Sequence, residues 1–274
     1  MNIMVADTTP PLPPGDAGAG RGRMGRPPLT KLESDVSLIY EARSSSSLLV
    51  AGVARGLTTQ GGRLVRPAEN CWHMVVVRQG GEASMRLVGP WTGAGVASYG
   101  EGAEILWIRF RLGTFMPGQP VTGLRDQETL LPAATGHSVW LNDAAWPLPG
   151  IDDVDAFVER LRRAGVLTHD PLVQDLLHEP GSGLAPRTER HRLLRATGLP
   201  LRHIRQVERA QQAAALLGQG VPIPETMFRL GYFDQPHLTR ALRRWVGHTP
   251  GQLLRAGEEH LPLRTRPLDA PSLH

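Results

Sequence analysis

Gly231 to Pro250 reads GYFDQPHLTRALRRWVGHTP, and its apolar spacing decides how the C-terminal part of the chain folds. Leu238, Ala241, Leu242 and Trp245 fall at i, i+3, i+4 and i+7, so a helix through them buries one stripe. The other side carries Thr239, Arg240, Arg243 and Arg244, with Gln235 and His237 near the start, a surface rich in hydrogen-bond donors. Asp234 is placed to cap the first turn, and Pro236 is tolerated there because those N–H groups have no partner within the helix. Gly247 and then Pro250 mark the stop. Upstream, Glu225 to Leu230 predicts a short helix ended by Gly231, with Tyr232 and Phe233 filling a tight turn. Helix, glycine turn and second helix with a polar outer face is the pattern of a helix-turn-helix, although a solvated helical hairpin fits the spacing as well.

The residues themselves separate the two. GYFDQPHLTRALRRWVGHTP resembles the second helix-turn-helix of the AraC family of bacterial transcription regulators, with its glycine-aromatic turn, recognition helix and Gly-x-Thr-Pro ending. LAPRTERHRLLRATG, Leu184 to Gly198, aligns with the first recognition helix of that family, and Pro186 suits its first turn. Two residues depart from the family pattern: Glu189 stands where a buried leucine is usual, and Leu193 where phenylalanine is usual. A buried carboxylate without a partner is costly, so either Glu189 pairs with a neighbouring arginine or this first motif packs loosely. Between the motifs, a helix from Leu201 to about Leu217 has Leu201, Ile204, Val207, Ala210, Ala214 and Leu217 along one side. At ~1.5 Å per residue it spans roughly 25 Å, which with the bulk of flanking helices approaches the ~34 Å between successive major grooves on one face of B-DNA.

Charge follows this division. From Leu176 onward there are 14 Arg against 8 acidic residues, a net of +6, while the first 175 residues have 16 basic and 18 acidic, a net of −2. A basic C-terminal part beside a near-neutral remainder is the balance expected of a DNA-binding domain joined to a domain with another task.

Met1 to about Ser34 is rich in Pro, Gly and Ala without apolar periodicity and reads as a disordered basic tail. From Asp35 to about Gly150 short strand-like runs follow, among them Leu48 to Val53, His73 to Val77 and Ser84 to Val88. In Ile105 to Leu112 the apolar residues Leu106, Ile108, Phe110 and Leu112 alternate with Trp107, Arg109 and Arg111, predicting a half-buried strand with one polar face. Such strands predict a small antiparallel barrel or sandwich. GAEILWIRFRLGTFMPGQP, with LPAATGHSVWLNDAAWPLP further on, also resembles the cupin-like sensor domain of some AraC-type regulators. Asp152 to Gly165 predicts an amphipathic helix with Val154, Phe157, Val158 and Leu161 as its stripe. That stripe either covers the β domain or, as the family resemblance implies, pairs two chains into a homodimer.

The expected architecture is therefore α+β and multidomain. It comprises a tail at 1–34, a cupin-like β-barrel sensor at 35–150, a connector helix at 151–170, an all-α double helix-turn-helix DNA-binding domain at 171–256 and a tail at 257–274. Metal-dependent cupins need a His-x-His pair with further ligands, whereas this region has only His73 and His137, far apart, so no metal or other cofactor is expected. Cys71, the sole cysteine, reads as a small hydrophobe beside Trp72 rather than a nucleophile, and it cannot form an internal disulfide. No catalytic motif is present, and the expectation is a regulator rather than an enzyme; a cupin-type enzyme and an effector-independent architectural DNA binder are the alternatives. No apolar run reaches the length of a membrane span, and a cytoplasmic location is expected.

The expected partner is double-stranded DNA. Gln235, His237, Thr239 and Arg240 are candidates for base edges and Arg243 and Arg244 for phosphate; in the first motif Arg187, Arg190 and His191 would face bases and Arg195 the backbone. The resemblance further implies a small-molecule effector in the N-terminal domain and RNA polymerase as a partner.

Overall fold

The computed structural model describes residues 37–178 and 185–256. The tails expected at 1–34 and 257–274 lie outside the described residues, as do Leu184 and most of the HEPGSG break.

The first half of the chain is made of short strands: β1 (Ser37–Arg43), β2 (Val50–Gln60), β3 (Gly62–Arg66), β4 (His73–Gln79), β5 (Glu82–Val88), β6 (Gly95–Tyr99), β7 (Glu104–Phe110), β8 (Thr114–Phe115), β9 (Glu128–Leu130), β10 (Ala133–Thr135), β11 (Ser138–Leu141) and β12 (Ala144–Pro147). A 3-10 turn, Val121–Leu124, precedes β9. Six strands form one antiparallel sheet in the order β1-β2-β7-β4-β5-β9, with β3-β6 and β10-β11-β12 as smaller sheets. The N-terminal region is thus mostly β-sheet, and β1 and β9 are the edges of its main sheet.

Strand β7 corrects one expectation. Leu106, Ile108 and Phe110 enter the main core with Met74 and Val76, as their alternation predicts, but Ile105 and Trp107 are buried as well. They pack with Val75, Val77, Trp91 and Tyr99 in a second cluster, on which Leu64 of β3 and Ala97 of β6 also rest. Central between β2 and β4, β7 is covered on both sides, and a strand so placed need not keep a polar face.

The connector helix is α1 (Val154–Arg163). Val154, Phe157, Val158 and Leu161 are all buried in the main core, so the expected stripe covers the protein's own β domain. What α1 turns outward is charged, including Glu159 bonded to Arg162 and Arg163, and the stripe itself is not free for pairing two chains. After α1, β13 (Thr168–His169) returns to pair antiparallel with β8, stitching the chain back to the β domain before the helices begin.

The helical part consists of α2 (Leu172–His178), α3 (Pro186–Thr197), α4 (Leu201–Gly218), α5 (Ile223–Leu230), α6 (Gln235–Trp245) and α7 (Pro250–Ala256). Pro250, expected only as a stop signal, also opens α7, where its missing N–H costs nothing. Two cores serve these helices. Leu193 and Ala196 of α3, with Leu199 and Ile204, belong to the same cluster as Phe115, Val121 and Leu124 of the β domain. Val207, Ala210, Ala214 and Leu217 of α4 instead pack with Tyr232, Leu238, Leu242, Trp245 and Leu253 in a separate helical core.

Candidate nucleic-acid interface

The second motif is built as its sequence predicts. Asp234 accepts a 2.6 Å hydrogen bond from the His237 backbone N–H through its carboxylate, satisfying one of the unpaired donors at the start of α6. Gly231 ends α5 in the left-handed conformation, φ 65°, which only glycine adopts without strain, and its N–H closes the helix. The turn is filled by one aromatic rather than two. Tyr232 is buried and meets the His237 ring edge-on at 5.2 Å, whereas Phe233 is 91% exposed. Tyr232 packs into the helical core, while its neighbour Phe233 lies in a bend and faces solvent.

Leu238, Ala241, Leu242 and Trp245 bury the inner side of α6. On the outer side Arg240 and Arg243, with Pro236, follow one another at helical spacing and are exposed. Gln235 and Arg244 are exposed on the flanks, and His237 and Thr239 are half-exposed. All six candidates of this motif therefore share one accessible helix. Arg244 stands apart in one respect, because its guanidinium lies 5.1 Å from the Trp245 ring and its carbonyl accepts from Ala94 of the β domain.

In the first motif Arg187, Arg190, His191 and Arg195 are all exposed on α3. The Arg195 guanidinium sits 5.4 Å over the Phe115 ring, so it leans toward the β domain. Glu189 is not the buried carboxylate that its alignment predicts. It is half-exposed and has a polar partner, because it occupies the first turn of α3, beyond the edge of the core that Leu193 and Ala196 enter. Leu193 itself is buried, filling the inner side without a larger ring. No side chain caps α3, whose N-cap residue is Ala185.

Four bonds that no sequence pattern announces hold the β domain to these helices. Ala68 N–H donates to the Trp245 carbonyl at 2.7 Å and Ala94 N–H to the Arg244 carbonyl at 2.8 Å, so two β-domain loops satisfy the C-terminal end of α6. Asn70 donates to the Ile204 carbonyl at 3.1 Å, and Gln211 of α4 donates to the Ala68 carbonyl at 2.9 Å. Most of these groups are backbone atoms, which leave no residue-type signature. Gly198 and Gly247 mark the closest approaches: both have positive φ, and a Cβ on Gly247 would lie 2.4 Å from Val65 Cγ1.

In the same region His73 Nε2 lies 2.7 Å from Glu69 Oε2, so this histidine is engaged by a carboxylate. Burial opposes ionisation of Glu69, but His73, Arg109 and Arg66 outweigh it and hold the carboxyl below the usual range. Desolvation pushes the Cys71 thiol up to about 11, which keeps it protonated at neutral pH, in line with its reading as a small hydrophobe. No described helix is long and apolar enough to cross a membrane.

Residues 182–256 match a family model described as a helix-turn-helix domain. The match supports an AraC-type C-terminal part, and with it DNA binding and transcription regulation. No curated protein and no solved structure matched the chain.

Proposed function

We propose that the chain is a sequence-specific regulator of the AraC type that reads two adjacent major grooves through α3 and α6. The observation that carries this reading is the pairing of two accessible donor-bearing helices, Arg187, Arg190 and His191 on one and Gln235, His237, Thr239 and Arg240 on the other, in two motifs linked by the long helix α4. Its 18 residues span about 27 Å at ~1.5 Å per residue, a length suited to reaching successive grooves. Arg240, in the middle of the outward side of α6, is suited to a bidentate contact with a guanine edge. Arg243, near the end of α6, is suited to phosphate, and Arg195 and Arg244 to the same role from positions next to the β domain.

The β domain, read as a cupin-like sensor, is assigned the binding of a small effector. The bonds from Ala68, Asn70 and Ala94 to α4 and α6 support that assignment, since movement of those loops would act directly on the reading helix α6 and on the linking helix α4. No catalytic role and no cofactor are proposed.

Footprinting with the purified full chain on the upstream regions of its own and neighbouring genes tests the reading. Two protected major grooves about one helical turn apart are expected. Arg240→Ala is expected to weaken binding to the protected site by ~1–3 kcal/mol and to relax preference at one base position. Protection of a single groove, or an Arg240→Ala protein with unchanged affinity and preference, would refute the two-groove assignment.

A further inference from the structure

Helix α4 carries a row of cations that the two recognition helices do not account for. Arg202, Arg205 and Arg209 recur at i, i+3 and i+7 and so share one side of the helix, away from the buried Val207, Ala210 and Ala214. With Leu201 and Gln206 they line an open groove of about 370 Å³. Glu208 is the one carboxylate of α4, and it lies within electrostatic reach of Cys71 in the β domain.

The row touches both motifs. Arg205 Nη2 lies 3.5 Å from the carbonyl of Leu177, at the end of α2. The Arg209 guanidinium lies 4.3 Å over the ring of Tyr232, and the same ring meets His237 at the start of α6. Arg209 is thereby next to the N-terminal end of the helix proposed to enter the second groove, and Arg205 next to the helix that leads into the first motif. A duplex occupied at both grooves must pass its sugar-phosphate backbone across the stretch between them. Arginine offers planar donors matched to phosphate oxygens, and it stays charged at any physiological pH.

We propose that Arg202, Arg205 and Arg209 of α4 form a phosphate-binding site that holds the DNA backbone between the two major grooves. This rests on the two-groove reading above and adds a third, sequence-independent contact to it. The arginine row fixes the register of the duplex along α4, and the recognition helices read bases on either side. Stacking on Tyr232 orients Arg209 before DNA arrives, lowering the entropy lost on binding.

The test uses the full-length chain and a duplex that this protein selects from a randomised pool. An Arg205→Ala/Arg209→Ala double variant is expected to bind more weakly and to lose about 0.9 from the slope of log K against log salt for each arginine removed. Base preference in the selected sequences should stay as in the wild type, and phosphate-ethylation interference should vanish only between the two protected grooves. Arg205→Lys/Arg209→Lys should recover most of the slope, which a merely structural role for the guanidinium would not predict. If loss of the Arg209 stacking loosened the turn, seen as a lower melting temperature, Arg202→Ala and Arg205→Ala still report the slope from exposed positions. An unchanged slope and affinity in these variants, while Arg240→Ala still weakens binding, would overturn the phosphate site and leave the two-groove reading standing. A wild-type chain that selects no duplex would remove the reading itself.

Discussion

The two recognition helices look alike in length and charge but are held in place by different parts of the molecule. Helix α3 seats Leu193 and Ala196 in the core that also contains Phe115, Val121 and Leu124, so the β domain supplies the floor beneath it. Helix α6 seats Leu238, Leu242 and Trp245 in a core made by α4 and its own neighbours, with Ala68 as the one β-domain residue in that cluster. It is tied to the β domain by backbone bonds at its C-terminal end. One helix is thus embedded in the β domain and the other latched to it. A change inside the β core should reach the first motif through packing and the second through the two hydrogen bonds to the Arg244 and Trp245 carbonyls.

The largest effects come from cutting each core separately in the full chain. Phe115→Ala is expected to cost ~3–5 kcal/mol and to lower amide hydrogen-exchange protection in α3, with α6 less affected. Leu242→Ala, in the helical core, is expected to cost ~2–5 kcal/mol and to do the reverse. Equal loss of protection in both helices from either substitution would show one cooperative unit and break the contrast.

A smaller effect sharpens it. The second motif has a side-chain cap and the first does not, since Asp234 bonds the His237 N–H whereas Ala185 offers nothing. Asp234→Ala should cost ~1 kcal/mol in chemical denaturation and fray the start of α6, making it resemble α3. A change well below that figure would mean that the packing of Tyr232 against His237 already fixes the turn.

The smallest effect is a pH dependence. Burial, with Arg244 nearby, holds His203 below its ordinary range, and burial does the same to His248 and, against the pull of Asp170, to His169. A histidine whose folded-state affinity for protons is depressed is neutral in both states at high pH and contributes nothing there. As pH falls through the unfolded value near 6.5 the unfolded chain takes up protons first, so stability declines on acidification. Melting temperatures should therefore fall between about pH 7.5 and about pH 5.5, and His203→Gln should flatten part of that slope. A flat profile in the wild type would count against these burials.

Much of the second motif was legible because its determinants are local. The apolar spacing of Leu238, Ala241, Leu242 and Trp245, the acid at Asp234 and the glycine at Gly231 act within a turn or two of where they stand. The first motif was less so: Glu189, aligned with a buried position, is half-exposed because the core ends short of that turn. Along β7 the alternation found one buried face and missed the other, since Trp107 is covered by strands far away in sequence.

What the sequence determined by itself is the succession of elements, the exposed donors on α3 and α6 and the cationic balance of the C-terminal part, all set by residue type at short range. Which core each recognition helix shares, and the bringing of Arg205 to Leu177 and Arg209 to Tyr232, were decided only by tertiary structure. Those contacts join backbone carbonyls, loop N–H groups and side chains from distant segments, and their partners cannot be assigned by spacing along the chain.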